Sequence, residues 1–232
     1  MKSLTEITDY YGPLLAGGAF ELGAIKLQPS KPFTWASGYR MPIYNDNRQF
    51  LASPRYRALI RDAIAEMLSA LDRNPDNIAG TATAGIPHAT SLADMLNKPL
   101  SYVRSSSKDH GMGHLIEGLG EKGYDGKDVL LIEDLISTGS SSLKAVEAVR
   151  ANGGKCTLCL AIFTYGLKTS EESFAALNPP CELHTILSYD TMIRTALETG
   201  YISEKESTAL KEWRVDPFGW GAGRGWPREV KA

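Results

Sequence analysis

Two adjacent carboxylates and a hydroxyl-rich turn lie together in the stretch 128–142, DVLLIEDLISTGSSS. Glu133 and Asp134 follow an apolar run, Val129 to Ile132, that is typical of a buried parallel strand. The turn from Ser137 to Ser142 precedes apolar residues at helical spacing. Such a turn at a helix N-terminus offers backbone N–H groups, hydroxyls and the positive end of the helix dipole, which suit a phosphate. Carboxylates beside it suit ribose hydroxyls, a magnesium ion or a developing cationic sugar.

This stretch resembles the phosphoribosyl diphosphate (PRPP) motif of the type I phosphoribosyltransferases. The resemblance implies that Glu133 and Asp134 contact the ribose hydroxyls while the turn holds the 5-phosphate. The turn residues implied in binding are Ser137, Thr138, Gly139, Ser140 and Ser141. The alternative is an ordinary strand-to-helix turn capped by a serine or threonine, which the length of the pattern disfavours.

A second segment, YVRSSSKDHG at 102–111, carries three potential cations, one of them a histidine, and is followed by many glycines. A basic loop that closes over a substrate excludes water and neutralises a pyrophosphate leaving group. The segment resembles the catalytic loop of orotate phosphoribosyltransferases, although Ser105 stands where many members have lysine. The alternative is a solvated surface loop.

The resemblance assigns roles within this loop. It implies that Arg104, Lys108 and His110 stabilise the leaving group, with His110 or Asp109 as candidate proton donors. In the family the loop reaches the neighbouring subunit's site, which implies a homodimer that shares the loop 104–120. Replacing Lys108 with alanine is expected to lower turnover by several orders of magnitude and to leave the fold intact; a near-normal rate would contradict the assignment.

A third segment, GTATAGIPH at 80–88, is a strand-to-helix turn of small residues whose backbone amides could contact pyrophosphate. It resembles the family's pyrophosphate loop, which implicates Thr83 and Ala84 in binding. Many members have lysine where Ala84 stands, so contacts here are expected mainly from backbone and hydroxyl groups. His88 is expected to be a packing or helix-surface residue rather than a catalyst.

The N-terminal segments resemble the hood of orotate phosphoribosyltransferases, through Lys26, FTWASG at 33–38 and PIYN at 42–45. The resemblance implies that Lys26 contacts PRPP and that Tyr44 lies where the base stacks. An arginine that some members place against the base carboxylate is missing, because the sequence at 163–166 is FTYG. Other groups must hold that carboxylate, and hood backbone amides and Ser137 are the candidates.

Composition narrows the function classes. The 232 residues carry a formal net charge of −2, which gives no global attraction to nucleic acid or membrane. No apolar run reaches the length of a membrane span. Two of the three cysteines, Cys156 and Cys159, form a C-x-x-C motif, but no second pair completes a zinc site. All three, including Cys181, are expected to be buried reduced thiols. We therefore expect a cytoplasmic protein without nucleic-acid or membrane partners.

Hydrophobic periodicity predicts the elements that position these motifs. Alternating strands and helices predict an α/β fold with a mainly parallel twisted sheet flanked by helices, the type I phosphoribosyltransferase fold, plus a small N-terminal hood. The expected strands are 77–82, 99–103, 129–133 and 156–163, and the expected helices are 4–16, one from Ser53-Pro54 to about 71, 85–96 and 139–151. We expect 19–45 to be extended and 170–214 to be mostly helical.

The same patterns suggest one phosphoribosyltransferase domain over 1–214, with the hood at about 1–50, the core at about 51–200 and a Gly/Trp-rich tail at 215–232. In such sheets ligands bind at the C-terminal ends of the strands, where the acidic pair and both loops are expected.

The resemblance implies transfer of the phosphoribosyl group from PRPP to orotate, giving orotidine 5'-monophosphate and diphosphate. Magnesium is expected as the cofactor, carried by PRPP rather than held directly by protein ligands. A purine phosphoribosyltransferase would share the acidic motif but not the hood and basic loop. A PRPP-sensing regulator that binds RNA or DNA is a further alternative, and a Walker-type nucleotidase is disfavoured because its motif is absent.

Overall fold

The computed structural model describes residues 2–35, 37–105 and 115–229. The chain begins with helix α1 (Leu4–Glu21), whose N-terminus is a capping box between Ser3 and Glu6. Four short strands follow in two antiparallel pairs, β1 (Ile25–Leu27) with β4 (Ile43–Asn45), and β2 (Phe33–Thr34) with β3 (Arg40–Met41). These two hairpin-like pairs form the expected hood. A 3₁₀ helix, Asn47–Ala52, then leads into α2 (Pro54–Ala70).

Six strands form the central sheet. In chain order they are β5 (Asn77–Thr81), β6 (Leu100–Val103), β7 (Ile116–Glu117), β8 (Asp128–Ile136), β9 (Lys155–Thr164) and β10 (Glu182–Ser188). Their spatial order is β10-β9-β8-β5-β6-β7, and every pair is parallel except β6 with β7. The mainly parallel sheet is therefore confirmed, and the ends of β5, β6 and β8 meet at one edge.

Helices cover both faces of this sheet. They are α3 (Gly85–Leu96), α4 (Ser140–Ala151), α5 (Lys168–Ala175), α6 (Tyr189–Glu198) and α7 (Glu204–Val215). Leu130 and Ile132 belong to a core shared with α1, α2, α3 and α6, whereas Val129 and Leu131 belong to a core shared with α4 and α5. This alternation along β8 is the period of two that a strand buried on both faces requires. The positions of the acids on β8 are fixed by that packing.

The C-terminal tail packs against the hood. Trp220 is 4% exposed and its Nε1 donates to the carbonyl of Ala209 at 3.1 Å. Farther along, the backbone N–H of Glu229 donates to the carbonyl of Gly38 at 2.8 Å, and the Glu229 carboxylate pairs with Arg40. The tail is thus held to α7 at one end and to the β2–β3 turn at the other.

Three expectations about the elements were incomplete. Helix α1 continues to Glu21 rather than ending near residue 16, and β8 continues past the acidic pair to Ile136. The segment 170–214 is not simply helical, because β10 lies within it as an edge strand. Only its Ile186 and Leu187 are buried, so its sequence shows little of the apolar pattern by which a strand is predicted.

The three cysteines are free and buried, as expected of structural thiols. Cys156 and Cys159 lie on β9 and pack with Cys181 in the core beneath α4. Within the described ranges, no helix has the length and apolar character needed to cross a membrane.

Candidate active site

A cavity of about 1000 Å³ opens at the C-terminal ends of β5, β6 and β8. Five segments of the described chain line it: Asn45, Asp46 and Arg48 of the hood, the loop 81–84 after β5, the end of β6 at 103–105, Leu115 before β7, and the stretch from Glu133 into α4. This is the edge at which open α/β sheets bind their ligands. The volume suits a substrate larger than a single nucleobase.

Glu133 lies at the floor of this cavity with its carboxylate already hydrogen-bonded. It is 5% exposed, and its Oε1 accepts from Thr81 Oγ1 at 2.6 Å and from the backbone N–H of Asp134 at 3.0 Å. Its Oε2 accepts from Ser142 Oγ at 2.8 Å. A buried carboxylate is stable only with such donors. Glu133 therefore joins β5, β8 and α4, and its predicted contact with the ribose stays a prediction.

Asp134 is the more exposed member of the pair. Burial, and then the neighbouring Glu133, raises the pKa of Asp134 to about 7. Its backbone carbonyl accepts from Nδ2 of Asn47 at 2.6 Å, which fixes the start of the hood's 3₁₀ helix against this end of β8. A carboxyl group whose pKa lies near 7 changes its ionisation at neutral pH when a positive charge develops beside it.

The predicted phosphate turn borders the same cavity. Its lining includes Ser137, Thr138, Gly139, Ser140 and Ser141. Gly139 precedes α4 with a φ of +82°, a conformation that favours glycine, and the backbone N–H groups of the first turn of α4 follow it. Lys144, one turn into α4, adds a cation that the sequence analysis did not single out. Hydroxyls, a helix N-terminus and an ammonium are groups that could hold a phosphate dianion, so the predicted phosphate site stays a prediction.

The predicted pyrophosphate loop follows β5, the strand that pairs with β8, and is joined to the acidic pair by the hydrogen bond from Thr81 to Glu133. Thr83 and Ala84 both line the cavity, and the peptide bond between Ala82 and Thr83 is cis. His88, on the helix that follows, is 3% exposed, and burial lowers its pKa to about 4. A neutral buried imidazole agrees with the predicted packing role of His88.

The basic loop begins at the cavity, where β6 ends. Arg104 and Ser105 line it, and Arg104 Nη1 lies 3.4 Å from Oε1 of Glu117 on β7. The other predicted catalytic residues of this loop, Lys108, Asp109 and His110, lie outside the described residues. Of this loop's predicted catalytic group, the structure places only Arg104 at the site.

Two predicted hood residues are not brought to the cavity in this structure. Lys26 and Tyr44 face each other across β1 and β4, and Tyr44 is 41% exposed beside Phe33, with ring centroids 5.8 Å apart. Neither is among the described residues that line the cavity. The hood instead contributes Asn45, Asp46 and Arg48, whose signal in the sequence is a polar run directly after a strand.

Comparisons with known proteins agree with this geometry. The phosphoribosyl transferase domain family matches residues 46–186. The orotate phosphoribosyltransferase of Bacillus caldolyticus is 46% identical over 208 residues, which cover 90% of this chain and 98% of that protein. The enzyme of the same name from Bacteroides thetaiotaomicron is 44% identical and covers 91% and 97%. A crystal structure of orotate phosphoribosyltransferase from Aeropyrum pernix superposes with a TM-score of 0.68 at 28% identity, covering 82% of this chain and 99% of that one.

Proposed function

This chain belongs to the orotate phosphoribosyltransferase family, and from that premise we propose how its cavity carries out the family's reaction. The chain is an enzyme that transfers the phosphoribosyl group from PRPP to orotate, giving orotidine 5'-monophosphate and diphosphate in pyrimidine biosynthesis. Relatives of that name share about 45% of their residues over nine tenths of the chain. The purine-using alternative and the regulator have no comparable support.

One observation supports the proposed mechanism: the acidic pair lines the same cavity as the two segments predicted to bind anions, and Glu133 is hydrogen-bonded to a residue of each. The turn from Ser137 to Ser141, with Lys144, can hold the 5-phosphate. The loop 81–84 and Arg104 can hold the diphosphate. A ribose that spans these two sites has its ring beside Asp134.

The reaction is a displacement at the anomeric carbon of the ribose. The ring nitrogen N1 of orotate loses its proton, to solvent or to the departing diphosphate, and forms the new bond to this carbon. The bond to the diphosphate oxygen breaks at the same time, with its electron pair leaving on the diphosphate. Orotate is itself the nucleophile, so no protein nucleophile is required. The protein contributes positioning and electrostatics: Asp134 lies where positive charge develops, and Arg104 where negative charge accumulates.

We propose that magnesium reaches this site on the diphosphate. Among the described residues no cluster of three or more His, Cys, Asp or Glu side chains could hold a metal. Asp134 is the carboxylate of the pair left available, because both oxygens of Glu133 accept hydrogen bonds within the protein. One carboxylate plus substrate phosphates is a usual environment for magnesium. Bound there, the ion would neutralise the leaving diphosphate.

We also propose a cytoplasmic homodimer in which the loop 104–120 of one subunit completes the neighbour's site. The proposal is supported by the family resemblance of this loop. Arg104, where the loop begins, lines the cavity of its own subunit, so the residues that follow it are the ones we propose to reach the neighbour. To test this, a Lys108→Ala chain is mixed with a chain that carries a substitution in the cavity lining. If the loop is shared, each heterodimer contains one site with an intact loop and an intact lining, and activity should return.

The test of the reaction is the loss of orotate absorbance when purified protein is mixed with PRPP and magnesium. Uracil, adenine and hypoxanthine serve as parallel substrates. We expect turnover of orotate alone. Binding of PRPP without turnover of any base would instead indicate a PRPP-responsive regulatory protein.

A further inference from the structure

The reaction presents three groups that need separate recognition within this cavity: a 5-phosphate, a diphosphate and a base. Among the described residues, three cations line the cavity, namely Arg48, Arg104 and Lys144. Lys144 lies on α4 beside the phosphate turn, and Arg104 follows β6, which pairs with the strand that carries the pyrophosphate loop. Arg48 is on the hood, the wall that neither anion site uses.

The position at which some family members have a base-binding arginine carries an aromatic cluster instead. Tyr165, just after β9, is 1% exposed and packs against Trp35, Trp213 and Tyr189, with ring centroids between 5.4 and 6.3 Å apart. A side chain so enclosed by hydrocarbon is not available to a ligand. The carboxylate of orotate needs a cation from elsewhere in the cavity.

Arg48 is held in place for this role by its neighbour. Its Nε donates to Asp46 Oδ1 at 2.5 Å, while Asp46 Oδ2 accepts from Gln49 at 3.0 Å. Asp46 is itself anchored, since its backbone N–H donates to the carbonyl of Ala24 at 2.7 Å. The Nη groups of Arg48 make no other hydrogen bond among the described residues, and two parallel N–H donors match a carboxylate. The guanidinium is therefore oriented through Nε with its fork available.

Asn45 on the same wall has an unfilled hydrogen-bonding capacity. Both Nδ2 and Oδ1 are buried and have no partner within the described structure, although Asn45 lines the cavity. A buried orphan amide is costly and points to a group that is bound in the working protein. A carboxamide offers one donor edge and one acceptor edge, which complement the ring N–H and adjacent carbonyl of a pyrimidine imide.

We propose that the hood wall from Asn45 to Arg48 recognises the base, with Arg48 binding the orotate carboxylate and Asn45 pairing with the imide edge of the ring. The inference rests on the proposed function and adds to it which residues distinguish orotate from uracil. Asp46 acts as a positioning residue that orients the guanidinium of Arg48.

Two nucleotides that differ only in the carboxylate test this assignment. Orotidine 5'-monophosphate and uridine 5'-monophosphate share phosphate, ribose and imide, so their dissociation constants isolate the carboxylate contact. For Arg48→Gln we expect orotidine 5'-monophosphate to bind about 10- to 100-fold more weakly, the range for a lost charge-assisted hydrogen bond. Uridine 5'-monophosphate and PRPP should bind within about twofold of the unmodified protein.

Asn45→Ala gives a different pattern with the same three ligands. Both nucleotides contain the imide edge, so both should weaken by about the same factor, roughly 5- to 10-fold, whereas PRPP, which has no base, should be unaffected. The matched control is Arg194→Gln, which removes an exposed arginine on α6 that does not line the cavity. That variant should behave as the unmodified protein does with all three ligands.

The outcomes separate the inference from the proposed function. If Arg48→Gln weakens the two nucleotides equally, or weakens neither, Arg48 does not recognise the carboxylate and the inference is wrong. Loss of PRPP binding in either variant would likewise show a structural role and overturn it. Absence of orotate turnover by the unmodified protein would instead contradict the proposed function, whatever the variants show.

Discussion

Thr81 Oγ1 donates a 2.6 Å hydrogen bond to Oε1 of Glu133 and thereby joins the end of β5 to the acidic pair on β8. The hydroxyl lies at the start of the pyrophosphate loop, and the carboxylate also accepts from Ser142 at the start of α4. One buried side chain thus joins the two segments that we propose bind the phosphate and the diphosphate. The stability of the free protein and the geometry of its reaction depend on the same contact.

We expect Thr81→Val to destabilise the protein by about 1–3 kcal/mol, because it removes one donor from a buried carboxylate. Turnover should fall as well, since the pyrophosphate loop loses its link to β8. Urea denaturation measures the first effect and initial rates the second. Thr208→Val, at an exposed helical threonine, is the control; equal stability of the two variants would mean that the Thr81 contact contributes nothing.

The raised pKa of Asp134 predicts how the free energy of unfolding depends on pH. Its pKa of about 7 in the folded protein lies above its ordinary value of 3.8, so the folded state holds a proton there that the unfolded chain has already lost. The stabilisation is complete below the ordinary pKa and is lost as pH rises toward 7. Relative to Asp134→Asn, the free energy of unfolding should fall by on the order of a few kcal/mol between pH 4 and pH 8.

Chemical denaturation across that pH range tests this prediction. Asp94→Asn, at an exposed position on α3, should run parallel to the unmodified protein. Parallel curves for Asp134→Asn as well would show that the folded protein does not hold the extra proton.

Gly139→Ala should weaken PRPP binding selectively. The alanine would require a left-handed conformation that costs about 1–2 kcal/mol, and its Cβ would lie 3.2 Å from a ring carbon of Phe174. Because the phosphate turn must shift, we expect KM for PRPP to rise about tenfold or more. Gly223→Ala, where a Cβ meets nothing within 4 Å, is the control. An unchanged KM would mean that Gly139 does not shape the phosphate site.

Trp220→Ala should destabilise the whole protein by about 3–5 kcal/mol, as expected for a buried aromatic side chain. The ring is 4% exposed, contacts Trp226 and carries Arg224 at 4.6 Å from its centroid. Phe218→Ala, at a 46% exposed position in the same tail, serves for comparison. If both variants unfold at the same urea concentration, the tail packs without contributing to stability.

The sequence was most informative where local pattern and chemistry coincide. The acidic pair and both anion loops could be placed because β8, α4 and the turn between them have strong periodic signals. The end of α1 could not, because the apolar pattern supported a helix only to residue 16, whereas the helix continues to Glu21. Gly18 lies inside the helix at a close approach to α2, where a Cβ would overlap the ring of Tyr56. That requirement is tertiary, and no local pattern reveals it.

The site predicted from the sequence was incomplete for the same reason. Nothing in the sequence near Glu133 indicates that its carboxylate accepts hydrogen bonds from two other elements, β5 and α4. Lys144 and Arg48 resemble ordinary surface cations until the fold brings α4 and the hood to one cavity. Residues that act through their neighbours in space, rather than through their neighbours in the chain, are the ones that a sequence pattern does not disclose.

The packing of the tail on the hood also gives the protein a built-in optical reporter. All four tryptophans, Trp35, Trp213, Trp220 and Trp226, belong to or pack against the one core that joins hood, α7 and tail. Their emission therefore senses the hood side of the molecule rather than the phosphate turn. Ligands that engage the hood wall should change intrinsic fluorescence, whereas inorganic phosphate bound at α4 should leave it nearly constant.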